Sequence, residues 1–109
     1  MSNRDDHILL ADIMVAIEKI QRYTAGYDKD RFLADERTID AVVRNLEIVG
    51  EAVRQLSYAF KQDREQIPWH QVAGLRNRIV HDYFGLDLDI IWHVVANDLP
   101  VLRLQLLSL

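Results

Sequence analysis

The chain contains no cysteine, which removes both a disulfide framework and any thiolate zinc site. It has no glycine-rich phosphate loop, no Gly-x-Ser-x-Gly elbow and no His-Glu-x-x-His. Three familiar chemistries therefore lack their residues. His7, His70, His81 and His93 form no compact i, i+4 ligand pair, so a mechanism without metal or cofactor is favoured. No strand-like alternation, internal repeat or low-complexity tract is present. No apolar run approaches the length of a membrane span. The opening residues, Met1-Ser2-Asn3-Arg4-Asp5-Asp6, lack the apolar core of a signal peptide. By elimination these absences predict a cytoplasmic protein with no membrane contact.

What is present reads as helix. Half of the 109 residues are hydrophobic and 28% are charged, which suits one folded domain over residues 1–109. The spacing predicts a first helix over residues 8–25, with Leu9, Ile13, Ala16, Ile20, Tyr23 and Tyr27 as its apolar stripe and Gly26 as its stop. Asp28 can cap a short piece over residues 29–34. Asp35 then caps a helix running to about Phe60, with Ile39, Val42, Leu46, Val49, Val53, Leu56 and Phe60 on its main stripe. Ala41, Ile48, Ala52 and Ala59 give it a second apolar flank. Gly50 near its middle points to a close helix–helix approach, since glycine there costs about 1 kcal/mol relative to alanine. Residues 61–66 read as a charged surface loop. Asp87 caps a last helix from Leu88, buried along Ile90, Ile91, Val94, Val95, Leu99, Leu102 and Leu106. Pro100 lies inside that pattern and should kink it near Ala96. The fold expected is all-α: an antiparallel four-helix bundle with one short extra helix. Surplus apolar surface on its last two helices favours a homodimer.

The segment that departs from this pattern lies between Pro68, a good first helical residue, and Gly85, a good residue just past a helix end. On one helix, at about 100° per residue, Trp69, Val72, Leu75, Ile79, Val80, Tyr83 and Phe84 share a broad arc. Arg76 falls in the middle of that arc. His70, Gly74, Asn77 and His81 gather opposite, within about 60° of one another. Each residue alone has a bland reading: a structural ion pair, a satisfied imidazole, a core tyrosine whose hydroxyl finds a partner. Together, a guanidinium, an amide, a group titrating near neutrality and a phenol are what phosphate-ester chemistry needs. Glu47 and Glu51, at i, i+4 on the long helix, repel each other unless a cation sits nearby. Arg76 is the cation to look for, and the alternative is that both glutamates face solvent.

Arg76, four residues, His81, one residue, Tyr83 resembles the Arg-x4-His-x-Tyr signature of the HEPN superfamily. More narrowly it is similar to the HepT-like toxins encoded beside a minimal nucleotidyltransferase. Asn77 after the arginine fits, as do Asn45-Leu46-Glu47-Ile48-Val49-Gly50-Glu51-Ala52 and Asp98-Leu99-Pro100. The resemblance covers nearly the whole chain. It implies a toxin of a toxin–antitoxin pair: a metal-independent endoribonuclease cutting cellular RNA, with tRNA one candidate. In it His81 would be the acid/base group, Arg76 the stabiliser of phosphate charge and Asn77 a positioner. It also implies a nucleotidyltransferase partner that transfers AMP to Tyr83, and a dimer that shares its cleft. The other class to weigh is a non-catalytic helical subunit of a nucleotidyltransferase. A net charge of −4 gives no broad basic surface, so RNA binding would rest on a local cluster, Arg76 with Arg78. Arg76 and His81 lie roughly 140° apart on one helix and would meet more readily across a two-fold axis. Tyr83 would lie about 20° from Arg76 if the helix persists.

Overall fold

The computed structural model describes residues 5–81 and 85–109, with the backbone alone at Val80 and His81. Its architecture is an all-α bundle, in which α1 (Asp6–Tyr23) and α3 (Glu36–Gln55) are the long regular members. They run antiparallel, because the start of α1 meets the end of α3. The Ser57 N–H and hydroxyl donate to the Asp6 carboxylate at 2.9 and 2.7 Å, and these bonds hold that carboxyl below its ordinary pKa. At the opposite end Gly26 supplies the left-handed turn, at φ +78. Asp28 and Asp35 then cap α2 (Lys29–Leu33) and α3 through Arg31 and Thr38 backbone N–H groups. The Tyr27 hydroxyl donates to Asp35 at 2.5 Å. That bond, with two more from Thr38, lowers the Asp35 pKa to about 2.

The core is continuous. Leu9, Ile13, Ala16, Ile17 and Ile20 of α1 meet Ile39, Val42, Leu46, Val49 and Val53 of α3, at the predicted helical spacing. The α3 helix stops five residues earlier than Phe60. Leu56 turns to an extended backbone, and Ser57 caps a separate helix, α4 (Tyr58–Gln62). The serine's competition for backbone N–H groups ends one helix and starts the next. The second flank of α3 is only partly used: Ala52 is buried, whereas Ile48 and Ala59 are exposed. Lys61 and Gln62 belong to α4 rather than to a loop.

The expected single helix from Pro68 to Gly85 is instead three pieces. Helix α5 (Trp69–Ala73) ends at Gly74, and α6 (Leu75–Ile79) follows. The chain then turns extended as β1 (Val80–His81), paired antiparallel with β2 (Gly85–Leu86). Gly85, at φ +76, serves this hairpin rather than a helix end, and the Asp87 N–H closes it onto the Ile79 carbonyl at 2.8 Å. Adjacent β-branched Ile79 and Val80 suit the switch to extended backbone. Trp69, Val72, Leu75 and Ile79 are buried as expected. A Cβ on Gly50 would touch the Val72 and Ala73 carbonyls at 3.4 and 3.5 Å, so the close approach at Gly50 is real. Arg54 donates to the same Ala73 carbonyl at 3.0 Å, serving an acceptor left over where α5 breaks.

The last long helical stretch begins at Leu88 with Asp87 as its cap. It comprises α7 (Leu88–His93), a π-helical turn (Val94–Asp98) and α8 (Leu99–Leu107). Pro100 has no N–H for the Ala96 carbonyl. The expected interruption takes the form of a π turn, in which the Leu99 N–H reaches back to Val94. Residues Leu88–Leu107 are long and apolar enough to cross a membrane, contrary to the expectation that no such run exists. One face of the stretch (Ile91, Val94, Val95, Leu99, Leu102, Leu106) is nevertheless buried in the core. The other carries exposed Val101, Leu104 and Leu107.

Candidate active site

The short helix α6 sits between two neighbours, and its two arginines face different ones. Arg76 lies towards α3, where its Nε is 3.6 Å from Glu47 Oε2. With Asp12, Arg44, Ile48 and Glu51 it lines an open cleft of about 470 Å³. Its side chain is 69% exposed, so the guanidinium is not the buried cation that the helical projection suggested. The break at Gly74 changes the facing of α6 relative to α5, and the apolar arc stops short of Arg76. Of the two glutamates, Glu47 takes Arg76, while Glu51 is 3.8 Å from Arg54 and accepts from Gln55 at 3.2 Å.

Arg78 is two residues on, about 200° around α6, and points into a second groove of about 620 Å³ beside the π turn. Its Nη1 lies 3.4 Å from Asp98 Oδ2. Asp98 in turn is 3.7 Å from His93 Nε2, and the Asn97 amide is 3.3 Å from His93 Nδ1. Arg76 and Arg78 therefore make no single cationic cluster within one chain. Each faces a carboxylate on a different helix. Asp98 was not singled out from the sequence as a site residue, although Pro100 close behind it marked the irregular turn.

Asn77 is exposed on α6. His81 is on β1, beyond the end of α6, so the 140° helical separation from Arg76 does not apply, and the His81 side chain lies outside the described residues. Tyr83 lies outside them altogether, as does any facing of its phenol relative to Arg76. Among the described residues no group of three His, Asp or Glu side chains gathers as a metal site.

The chemistry that this surface offers is a solvent-accessible guanidinium at a cleft mouth, an amide beside it and an imidazole-bearing residue just downstream. A family model described as ribonuclease HepT-like matches residues 13–109. The chain belongs to the HepT-like ribonuclease family. A probable ribonuclease HepT from Thermococcus cleftensis is 40% identical over 94 residues, which is 86% of each chain. A Methanocaldococcus jannaschii protein provisionally named as an RNase is 39% identical over 100 residues, 92% of this chain and 83% of its own. Another from that organism, whose name joins a gamma-glutamylcyclotransferase to a provisional RNase, is 37% identical over 106 residues. This HepT-like chain spans only 48% of that relative's length. No solved structure matches.

Proposed function

We propose that this protein is a metal-independent endoribonuclease acting on cellular RNA, the toxin of a toxin–antitoxin pair. The observation that carries the reading is an exposed Arg76 at a cleft mouth, five residues ahead of His81, in a chain of the HepT-like ribonuclease family. RNA carries its own nucleophile. A base at His81 would take the 2′-hydroxyl proton, the oxygen would attack the adjacent phosphorus, and the 5′-oxygen would leave with a proton returned by an acid. Arg76 would neutralise charge on the phosphoryl oxygens, with Asn77 positioning the group. Glu47 does not prevent this, because an exposed ion pair is worth only about 0–1 kcal/mol, and a substrate phosphate can displace the carboxylate. The products are a 2′,3′-cyclic phosphate and a 5′-hydroxyl.

The active unit in this reading is a homodimer with Arg76 of one chain facing His81 of the other. Exposed Val101, Leu104 and Leu107 on the C-terminal helix, with Leu109 just past its end, support such an assembly, being apolar surface that a second copy would cover. A partner nucleotidyltransferase would transfer AMP from ATP to the Tyr83 hydroxyl, releasing pyrophosphate. The added phosphate would then occupy Arg76 in place of RNA. The competing reading, a non-catalytic helical subunit of a nucleotidyltransferase, draws on the carboxylate opposite each motif arginine and the net charge of −4.

The deciding assay incubates purified protein with total cellular RNA in EDTA and sequences the cut ends. Cyclic phosphates that disappear with His81→Ala are expected; no cutting by the wild type favours the binding subunit. Incubation with the nucleotidyltransferase and ATP, followed by peptide mass spectrometry, should find AMP on Tyr83. An adduct elsewhere would reject that part of the reading.

A further inference from the structure

The irregular turn before α8 does something that an α-helix would not. In an α-helix residues 93 and 98, five apart, lie about 140° from each other. Through the π turn of Val94–Asp98 the ladder advances by five residues, and His93 and Asp98 come onto one side, 3.7 Å apart. The same Asp98 carboxylate, through its other oxygen, receives Arg78 Nη1 at 3.4 Å. Arg78 is one residue before Ile79, whose carbonyl anchors the base of the β1–β2 hairpin through Asp87 at 2.8 Å. A carboxylate on the last helical stretch thus reaches the end of α6, where the chain turns into the strand that carries His81. π turns recur at functional sites because they re-aim side chains in this way.

We propose that Asp98 is a positioning residue of the nuclease: by holding Arg78 against the π turn, it fixes the base of the hairpin that carries His81. The inference rests on the ribonuclease reading only for its effect on turnover; the mechanical link stands apart from it. The pair is half-exposed on both sides, so removing it costs the fold little. The effect should be local, felt where a small displacement of an acid/base group matters most.

The test uses Asp98→Ala, Asp98→Glu, Arg78→Ala and the Asp98→Ala/Arg78→Ala double variant in the full chain. Amide hydrogen exchange is read at Asp87, whose N–H closes the hairpin onto the Ile79 carbonyl, and steady-state cleavage is measured on a defined RNA. With Asp98→Ala, exchange at the Asp87 amide should rise about twofold to fivefold, the range an exposed ion pair allows, while α1 and α3 amides stay unchanged. Values of kcat should fall about threefold to fivefold, with KM unchanged. Asp98→Glu should restore part of kcat, and the double variant should exchange no faster at the hairpin than Arg78→Ala alone. Unchanged hairpin exchange, a loss confined to KM, or faster exchange throughout the chain would overturn the proposal. If the wild type cuts no RNA the ribonuclease reading fails, and the exchange cycle alone decides whether Asp98 fixes the hairpin.

Discussion

The α1–α3 pair and the segment from α5 to α8 are built from similar proportions of apolar residues but obey local rules to different degrees. In α1 and α3 the apolar spacing, the aspartate caps and the glycine stop all favour the same two helices, and the helices are unbroken. From Trp69 onwards helical order is interrupted at Gly74, after Ile79 and again at Val94–Asp98. The residues proposed for chemistry, and the carboxylate at Asp98, all lie in that interrupted half. Regular helices bury the core, and the breaks turn polar side chains out of the stripe that would otherwise bury them. Conflict between local preference and global pattern is where function is expected to reside.

If that division holds, substitutions in the two halves should have separable effects. The largest should be on turnover: His81→Ala is predicted to lower kcat about 10²–10⁴-fold with thermal unfolding nearly unchanged. Arg76→Lys keeps the charge but loses the guanidinium fork, so its loss should be smaller and should appear in kcat more than in KM. Melting curves beside initial rates on one RNA check both. A large drop in melting temperature would break the comparison.

Leu46→Ala should do the reverse. Leu46 is fully buried between α1 and α3, and truncating such a residue costs about 2–5 kcal/mol. Per folded molecule, kcat should be retained; denaturant titration gives the first number and active-fraction-corrected rates the second. Gly50 lies where the halves touch. An alanine Cβ would meet the Val72 and Ala73 carbonyls at ordinary contact distance, so Gly50→Ala should fall within about 1 kcal/mol of the wild type. Gly50→Leu should force α5 away from α3 and lower stability and turnover together.

The smallest effect is electrostatic and belongs to the regular half. The Asp35 pKa is depressed from 3.8 to about 2 by Tyr27 and then Thr38. A depressed folded-state value contributes stability that is present above pH 3.8 and is lost as pH falls towards 2. Asp35→Asn, or Tyr27→Phe, should flatten the acid limb of the stability curve between those values and leave neutral-pH turnover alone.

The sequence made the regular half legible because periodicity, caps and stops agree there. Leu9 through Ile20 and Ile39 through Val53 are buried at the predicted spacing, and Asp28, Asp35 and Asp87 cap the predicted helices. For Glu47 and Glu51 the i, i+4 spacing leaves two readings open, a cation at Arg76 or both facing solvent; both carboxylates are exposed, and Glu47 alone takes Arg76. From Pro68 to Gly85 the apolar spacing predicts one helix where the chain has two short helices and a strand. Apolar spacing alone cannot separate one helix from two short helices and an extended segment when the same residues are buried in either case. Gly74 and the β-branched Ile79-Val80 pair were the local signals. The facing of Arg78 on Asp98 was not legible, because it depends on a π turn whose register no periodicity encodes.

The central claim, that Arg76 and His81 work together in cutting RNA across two chains, has one direct test. Purified Arg76→Ala and His81→Ala chains are assayed alone, then unfolded together, refolded and assayed as a mixture. Half of randomly paired dimers would be mixed, each with one intact composite site, so about a quarter of wild-type activity should return from two inactive proteins. A mixture as inactive as its components, with mixed dimers demonstrated by mass, would contradict the account.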